Sequence, residues 1–256
     1  MPRKAREKSR TGIYHIMLRG VNRQTIFEDE EDKERFLKTL QKYKTISKYD
    51  LYSYCLMDNH VHLLLKEREE TVSLLMKRIS SSYVYWYNKK YERCGHLFQE
   101  RFRSESVENQ AYFLTVLRYI HQNPLKAGLA RNVFENRWTS IHEYIEIQKI
   151  IDVDFALRYY SVDRDQAIIL FREHMQQTND DKCLDEEVII LLTDNEVRTY
   201  LKEWGIHNAS LLQHMEKESR DAVLARLKVL NGVTLRQIER LTGVSKSVIQ
   251  RARRGD

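Results

Sequence analysis

Two histidines stand one residue apart within a run of apolar side chains, YCLMDNHVHLLLK at positions 54–66. Side chains i and i+2 of a β-strand point to the same face, so His60 and His62 project together while Val61, Leu63 and Leu65 face the other way, into the core. Two imidazoles that converge from neighbouring positions are suited to bind one divalent metal ion. The same spacing fits a pair of surface or hydrogen-bonded histidines, so the triplet needs a third group nearby before it indicates a metal site.

A third group comes from the segment 109–123, whose apolar spacing predicts an amphipathic helix. Tyr119 and Asn123 are four residues apart and therefore stack on one side of that helix, which borders the core and could also line a cleft. Asn123 is also a natural helix terminator because it precedes Pro124, and Tyr112 on the same side is a rival for any role of a tyrosine. The buried stripe of the helix is formed by Phe113, Val116, Leu117 and Ile120.

The elements that must position these residues follow the order β-α-β-β-α-β. This is the order of the ferredoxin-like split βαβ unit, an α+β fold with an antiparallel sheet. We expect Pro124 to end the third helix. The segments are a strand at 12–20, a helix at 29–49, strands at 51–57 and 60–66, a helix at 70–91, a strand within 96–107 and the helix at 109–123.

The second half of the chain has no clear strand signals and is predicted to be helical from about residue 155. We therefore predict one domain over 1–150 and a helical domain over 151–256, although no Pro- or Gly-rich linker separates them. The predicted helices are 163–176, 184–203 and 208–230, followed by two short ones in TLRQIERL and SKSVIQRARR.

The composition is that of a globular protein with a basic surface. Of the 256 residues, 42% are apolar and 31% are charged, and the scarcity of Gly (8) and Pro (2) favours helices over an all-β fold. The net charge of +6 fits a polyanionic partner such as nucleic acid. The three cysteines show no CxxC spacing, so neither a disulfide framework nor a zinc knuckle is indicated. With no apolar signal segment and no membrane-length apolar run, we expect a cytoplasmic, nucleoid-associated protein without a membrane partner.

A set of motifs in fixed order adds a family resemblance. Together they resemble the REP-associated tyrosine transposases, a branch of the single-tyrosine HUH transposase superfamily, over about residues 10–145. The motifs are GIYHIMLRGVNRQTIFEDEEDKERFL, YCLMDNHVHLLL, HLFQERFRS, LRYIHQNPLKAGL and RWTSIHEY.

The resemblance implies roles for the residues singled out above. The HUH pair falls on His60 and His62 and would bind Mg²⁺ or Mn²⁺, and the nucleophilic tyrosine falls on Tyr119 rather than Tyr112. A third, amide-bearing ligand falls on Asn123, with the neighbours Gln122 and His121 left open as substitutes. The implied reaction is cleavage and rejoining of single-stranded DNA at short hairpins through a 5′-phosphotyrosine. Whether the active unit is a monomer or a homodimer stays open.

Basic and aromatic residues near the predicted strand ends are candidates for contacts with DNA. We assign this role to Arg19, Arg23, Arg101 and Arg103. The basic segment MPRKAREKSR is either a solvated tail or an arm that contacts phosphates. In SSSYVYWYNKKYER, about half of the aromatics must lie in the core, and one or two could stack on unpaired bases.

The end of the chain predicts a helix-turn-helix over about 208–254. Thr234 and Ser245 are suited as N-caps of its two last helices, and a TGV turn lies between the helices. The stretch SRDAVLARLKVLNGVTLRQIERLTGVS resembles the DNA-binding domain of the replication initiator DnaA, but a GRDHSTV-like signature is missing. A helical hairpin that binds another protein is the alternative. The face expected to read duplex DNA consists of Lys246, Ser247, Gln250, Arg251, Arg253 and Arg254.

The sequence therefore predicts a two-domain transposase that processes DNA. The main alternative is a domesticated, non-catalytic regulator that binds repeated palindromes, and a second is a rolling-circle-type replication initiator with the same chemistry.

Overall fold

The structure is a computed structural model that describes residues 7–99, 101–181, 183–184, 192–230 and 232–252. The chain forms two compact units, Met1–Asp185 and Glu186–Asp256, which we call the first and the second unit. Within the described ranges, no helix combines the length and the apolar character needed to cross a bilayer.

The first unit is built on a four-stranded sheet whose strand order is β2-β3-β1-β4. Every neighbouring pair is antiparallel, and only the β2–β3 pair is interrupted, by a register shift between Leu51 and Ser53. This topology confirms the predicted ferredoxin-like α+β fold. The strands are β1 (Ile13–Arg19), β2 (Asp50–Met57), β3 (His60–Lys66) and β4 (Arg103–Ser106).

The four longer helices of the first unit begin at residues whose side chains satisfy free backbone N–H groups. Asp29 and Asp32 form a reciprocal capping box at the first helix, and Asn109 accepts a hydrogen bond from the backbone N–H of Tyr112 at the third. The third helix packs against β2 and β3, and the first two helices pack against each other. The helices are α1 (Glu30–Ser47), α2 (Val72–Lys90), α3 (Gln110–Lys126), α4 (Ile141–Ile145), α5 (Val153–Leu157) and α6 (Arg164–Gln176).

Helix α3 continues through Pro124 to Lys126, so the prediction that Pro124 ends it was wrong. A proline in the last turn removes only the bond that its own missing N–H would have made. The carbonyls around it still find donors, because Asn123 O accepts from Ala127 N at 3.0 Å and Pro124 O accepts from Leu129 N at 2.9 Å. The helix ends instead just before Gly128, whose φ of +71° suits glycine.

The first unit extends beyond the predicted domain boundary at residue 150, since the structure divides after Asp185. Helices α5 and α6 belong to the same hydrophobic core as the sheet: Val153, Phe171 and Met175 are fully buried in it. The loss of strand signals near residue 150 therefore marks the end of the sheet-forming segment, while the hydrophobic core continues.

The second unit is helical, as predicted. The predicted helix at 184–203 starts at Asp194, its residues 185–191 lie outside the described ranges, and 208–230 is a 3₁₀ turn (Ala209–Gln213) followed by a helix. The α-helices are α7 (Asp194–Glu203), α8 (Lys217–Val229), α9 (Leu235–Thr242) and α10 (Lys246–Arg251). Their core includes Ile238, Leu241, Val244 and Ile249, with Leu235 and Val248 packed against it.

Candidate active site

The two histidines occupy neighbouring places on one face of the sheet. His60 pairs with Arg19 of β1 and Met57 of β2, and His62 pairs with Met17 and Cys55 of the same strands. Their ring centroids lie 5.1 Å apart, with the rings nearly perpendicular. His60 is half-buried and His62 is buried, so the pair opens toward solvent at the His60 end.

Helix α3 brings Tyr119 onto this pair. The Tyr119 ring lies 5.6 Å from the His62 ring in an edge-to-face arrangement, and only 5% of Tyr119 is exposed. Tyr112, the rival, interacts instead with Glu105 and Cys183, and burial raises the pKa of its hydroxyl. The structure therefore groups Tyr119, and not Tyr112, with the histidines.

The three candidates for an amide or imidazole ligand near Tyr119 differ in what they contact. Gln122 is engaged through both ends of its amide: Nε2 donates to Met175 O and Gln177 O, and Oε1 accepts from Asn179 Nδ2. His121 is fully buried and its Nε2 lies 2.9 Å from the hydroxyl of Ser140.

Asn123 is the half-buried member of the three. Its Nδ2 lies 3.4 Å from Tyr119 O, one turn back on the same helix, and its Oδ1 accepts no hydrogen bond from another side chain in the described part of the chain. Since carbonyl oxygens are ligands of Mg²⁺ and Mn²⁺, Asn123 is better suited to a cation than Gln122 or His121.

A third imidazole, that of His15, completes the group and was not predicted from the sequence. His15 Nε2 lies 2.9 Å from His62 Nδ1, and the His15 ring lies 5.7 Å from that of Tyr119. His15 alternates with Met17 and Arg19 along β1, which would have placed it on one face with them. The pairing of β1 with β3, which local alternation does not reveal, puts that face beside His62.

Two of these histidines, His15 and His62, are held neutral by burial. Burial lowers the pKa of His15 to about 3. Burial also lowers the pKa of His62 well below its usual 6.5, and the neighbouring His15, His60 and Arg19 lower it further. A neutral imidazole is the form that binds metal ions.

The donor set fits a metal site that is completed by oxygen ligands. Among the described residues, no three His, Cys, Asp or Glu side chains are arranged to hold a metal ion. His60 and His62 would supply two nitrogens, and an amide oxygen, water or a phosphate of the substrate would complete the coordination. A site that keeps a position for water or substrate in this way would resemble a catalytic centre more than a closed structural one.

The predicted DNA-contacting arginines of the first unit differ in their position relative to the sheet face that carries the histidines. Arg19 is the cross-strand neighbour of His60, and Arg103 is the cross-strand neighbour of Met17 on the same face. Arg23 is exposed in a short 3₁₀ turn after β1, and its carbonyl accepts from Asn59 Nδ2 at 3.4 Å. Arg101 is exposed at the edge of a groove of about 880 Å³ between α2 and the segment before β4.

The aromatic residues of α2 divide between the core and the surface. Tyr83 and Tyr87 are buried, whereas Tyr85 is 74% exposed and lines the same groove as Arg101. Tyr85 is therefore the aromatic of this helix best placed to stack on an unpaired base. In the N-terminal basic segment, residues 1–6 lie outside the described ranges.

The last helix of the second unit presents a polar surface. Lys246, Ser247, Gln250 and Arg251 are all exposed, while Ile249 between them is buried. Arg253 and Arg254 lie outside the described residues. Thr234 caps α9 by accepting from Gln237 N, whereas the Ser245 side chain makes no capping bond to α10.

Comparisons with known proteins bear on the first unit. Residues 8–123 match the family described as IS200-like transposases. The chain is similar to the structure of a REP-associated tyrosine transposase bound to a REP hairpin, with a TM-score of 0.55 and 14% identity over 74% of this chain and 99% of that one. It is also similar to a protein assigned as a transposase from Deinococcus radiodurans R1, with a TM-score of 0.34 and 17% identity over 47% and 96% of the two chains. No curated protein matches. The match to IS200-like transposases agrees with the transposase resemblance of the motifs over residues 8–123, and the first of the two structures shows the shared fold.

Proposed function

We propose, from the match of residues 8–123 to the family of IS200-like transposases, that this chain cleaves and rejoins single-stranded DNA through a covalent bond to Tyr119. The observation that carries the proposal is the packing of the Tyr119 ring against His62, on the sheet face that also holds His60. A nucleophile and two imidazoles then lie together at a half-buried position of the sheet, which is what a metal-assisted attack on a phosphodiester requires.

The chemistry follows from these groups. A divalent cation held by His60 and His62, with Asn123 as a further candidate ligand, would stabilise the charge on the phosphate oxygens. The Tyr119 oxygen attacks phosphorus and loses its proton, and the bond from phosphorus to the 3′ oxygen breaks. The 5′-phosphate remains on Tyr119 and the 3′ oxygen takes up a proton. Because the phosphotyrosine conserves the energy of the phosphodiester, a 3′-OH can reverse the step and join new ends.

The surroundings of Tyr119 support this role. The Nζ of Lys126 lies 5.2 Å from the centre of the Tyr119 ring, so a positive charge stands beside the attacking residue. Arg19 and Arg103 lie on the same sheet face as the histidines. Cationic groups on several sides would hold a phosphate in line with the tyrosine oxygen.

The substrate that we propose is a single-stranded hairpin. The similar REP-associated transposase is bound to a REP hairpin. An unpaired strand avoids the energy needed to pull a base-paired phosphodiester into a site in which Tyr119 is 5% exposed. Mg²⁺ and Mn²⁺ are the proposed cations because a site of two imidazoles with oxygen ligands suits them.

The second unit is proposed to bind duplex DNA. The exposed Lys246, Gln250 and Arg251 lie on α10, the second helix of a helix–turn–helix arrangement with α9. A helix of this kind can contact base edges and phosphates in the major groove.

A covalent-adduct assay tests the proposed activity. The full chain is incubated with a single-stranded DNA hairpin and Mn²⁺, and a protein–DNA adduct is expected on a denaturing gel. Tyr119→Phe should abolish the adduct because it lacks the attacking oxygen, while Tyr112→Phe should retain it because Tyr112 contacts Glu105 and Cys183 instead. His60→Ala should reduce the adduct by removing one nitrogen ligand.

Two outcomes would contradict the proposal. An adduct that persists in Tyr119→Phe would show that another residue is the nucleophile. Firm hairpin binding without any adduct would favour the non-catalytic regulator instead.

A further inference from the structure

The ring of His62 is hydrogen-bonded to a second buried imidazole, that of His15. The proposed reaction assigns no role to His15. His15 Nε2 and His62 Nδ1 are 2.9 Å apart, and the two residues are 0% and 2% exposed. Water is therefore excluded from this contact, and one ring must donate its proton to the other.

The neighbouring His60 shows how a hydrogen-bond partner can fix the tautomer of an imidazole at this site. His60 Nδ1 lies 2.6 Å from Asn59 Oδ1, and the Nδ2 of the same amide points to Arg23 O at 3.4 Å, which fixes the amide orientation. A carbonyl oxygen can only accept, so the proton of His60 is on Nδ1 and the lone pair is on Nε2. Asn59 thus keeps His60 in the tautomer that binds a cation through Nε2.

The hydrogen bond between His62 and His15 can have either ring as its donor. If His15 Nε2 donates, His62 Nδ1 accepts, and the neutral His62 ring then carries its proton on Nε2, where it blocks coordination. If His62 Nδ1 donates, His15 Nε2 accepts, and the lone pair of His62 Nε2 is available. The direction of one hydrogen bond therefore decides whether His62 can be a ligand.

We infer that His15 is a positioning residue that accepts the Nδ1 proton of His62 and so makes His62 Nε2 available to a divalent cation. This inference rests on the proposed function in one respect, since the cation is the one proposed for His60 and His62. Outer residues that fix the tautomer of a ligand in this way are expected for metal-binding histidines.

The burial of His15 adds a second consequence. His15 Nδ1 has no hydrogen-bond partner among the described residues. When Nε2 of His15 accepts, the proton of His15 sits on Nδ1 and lacks an acceptor, which is unfavourable in a buried place. A glutamine at this position can accept through its carbonyl oxygen without this unpaired proton. The site with glutamine should therefore bind the cation at least as tightly as the site with His15.

Binding of Mn²⁺ to the full chain without DNA tests the inference. The unbound Mn²⁺ is measured by its electron paramagnetic resonance signal. His15→Leu, which fills the space but cannot accept a proton, should weaken Mn²⁺ binding by about 10–100-fold. His15→Gln should bind Mn²⁺ as tightly as the wild type or more tightly. Thermal unfolding without the metal verifies that both variants are folded, and a merely structural role would lower the unfolding temperature without changing the affinity.

His121 provides a matched control. It is likewise fully buried, has one nitrogen bonded to a neighbour, the Ser140 hydroxyl, and has an Nδ1 without a partner in the described part of the chain. Its ring packs against Tyr144 and Phe171, whereas the rings packed against His62 are those of His15, His60 and Tyr119. His121→Leu should therefore leave the Mn²⁺ affinity unchanged even if it lowers stability.

The outcomes separate the inference from the proposed function. Wild-type affinity in a folded His15→Leu overturns the role of His15 and leaves the metal site intact. If His15→Leu does not fold, an affinity of His15→Gln as low as that of His62→Ala overturns it as well. A wild-type chain that takes up no Mn²⁺ contradicts the metal site itself, and the role of His15 with it.

Discussion

At the residue scale, a half-buried histidine of α6 links stability to pH. His174 of α6 bonds to the Tyr160 hydroxyl at 2.7 Å, and burial, with a smaller effect of Arg118, lowers its pKa to about 4. In the unfolded chain this histidine would take up a proton near pH 6.5, whereas in the folded chain it stays neutral until about pH 4. The unfolded state therefore binds more protons in this window, and the stability falls as the pH is lowered.

Replacement of His174 tests this link. Between pH 6.5 and 4 the free energy of unfolding should fall by at most about 1.4 kcal/mol per pH unit for this one group. His174→Gln should remove that part of the slope, as measured by denaturant unfolding of the full chain at several pH values. An unchanged slope in His174→Gln would mean that His174 is protonated in the folded chain too. Because His174 is partly exposed, the effect is expected below the upper limit.

The sequence predicted the placement of candidate site residues where local spacing decides it. His60 and His62 share a face because a strand alternates, and the family resemblance selected Tyr119, which the structure brings onto His62. His15 was missed because its place beside His62 depends on the pairing of β1 with β3, a long-range relation. The distinction between Asn123 and Gln122 was likewise out of reach, since it depends on what the segment after α6 contacts.

At the scale of the elements, the predicted order of strands and helices was right and one boundary was wrong. The alternation in the strands and the acidic residues at the start of α1 are local signals, and the structure contains the elements that they predict. Pro124 was expected to end α3, but it lies in the last turn of the helix, where the backbone carbonyls accept hydrogen bonds from other N–H groups. A proline thus predicts the end of a helix to within about one turn.

The two short helices at the end of the chain allow a matched test of helix capping. Thr234 accepts from Gln237 N at 3.1 Å, whereas the Ser245 side chain makes no such bond. Thr234→Ala should destabilise the second unit by about 1 kcal/mol, while Ser245→Ala should have a smaller effect. Hydrogen exchange of the amides of α9 in the full chain should accelerate about fivefold in Thr234→Ala only. Equal acceleration in both variants would contradict this difference in capping.

At the scale of the whole molecule, the number of units was predicted and their boundary was not. A fading strand pattern suggested residue 150, but α5 and α6 contribute Val153 and Phe171 to the core of the first unit. Composition does not reveal which core a helix joins, because amphipathic helices look alike in either unit. The family match over residues 8–123 also ends well before the structural division.

Each unit has its own basic residues proposed to contact DNA, which leads to a prediction about duplex and single-stranded DNA. If α10 contacts duplex phosphates, the paired change of Lys246 and Arg251 to Ala should weaken duplex binding and reduce the dependence of log K on log salt by about 2. Formation of the Tyr119 adduct on a single-stranded hairpin should be unaffected, since these residues belong to the second unit.

The matched control changes charge elsewhere on the second unit. Lys217 is exposed at the start of α8, and Lys217→Ala should leave the salt dependence of duplex binding unchanged because it lies outside α10. Fluorescence anisotropy of a labelled duplex at several salt concentrations measures both variants. An equal reduction in Lys217→Ala would indicate general attraction by net charge, and an unchanged slope in the paired variant would assign α9 and α10 to a partner other than DNA. A helical hairpin that binds protein is then the interpretation that its apolar core and exposed polar face would still support.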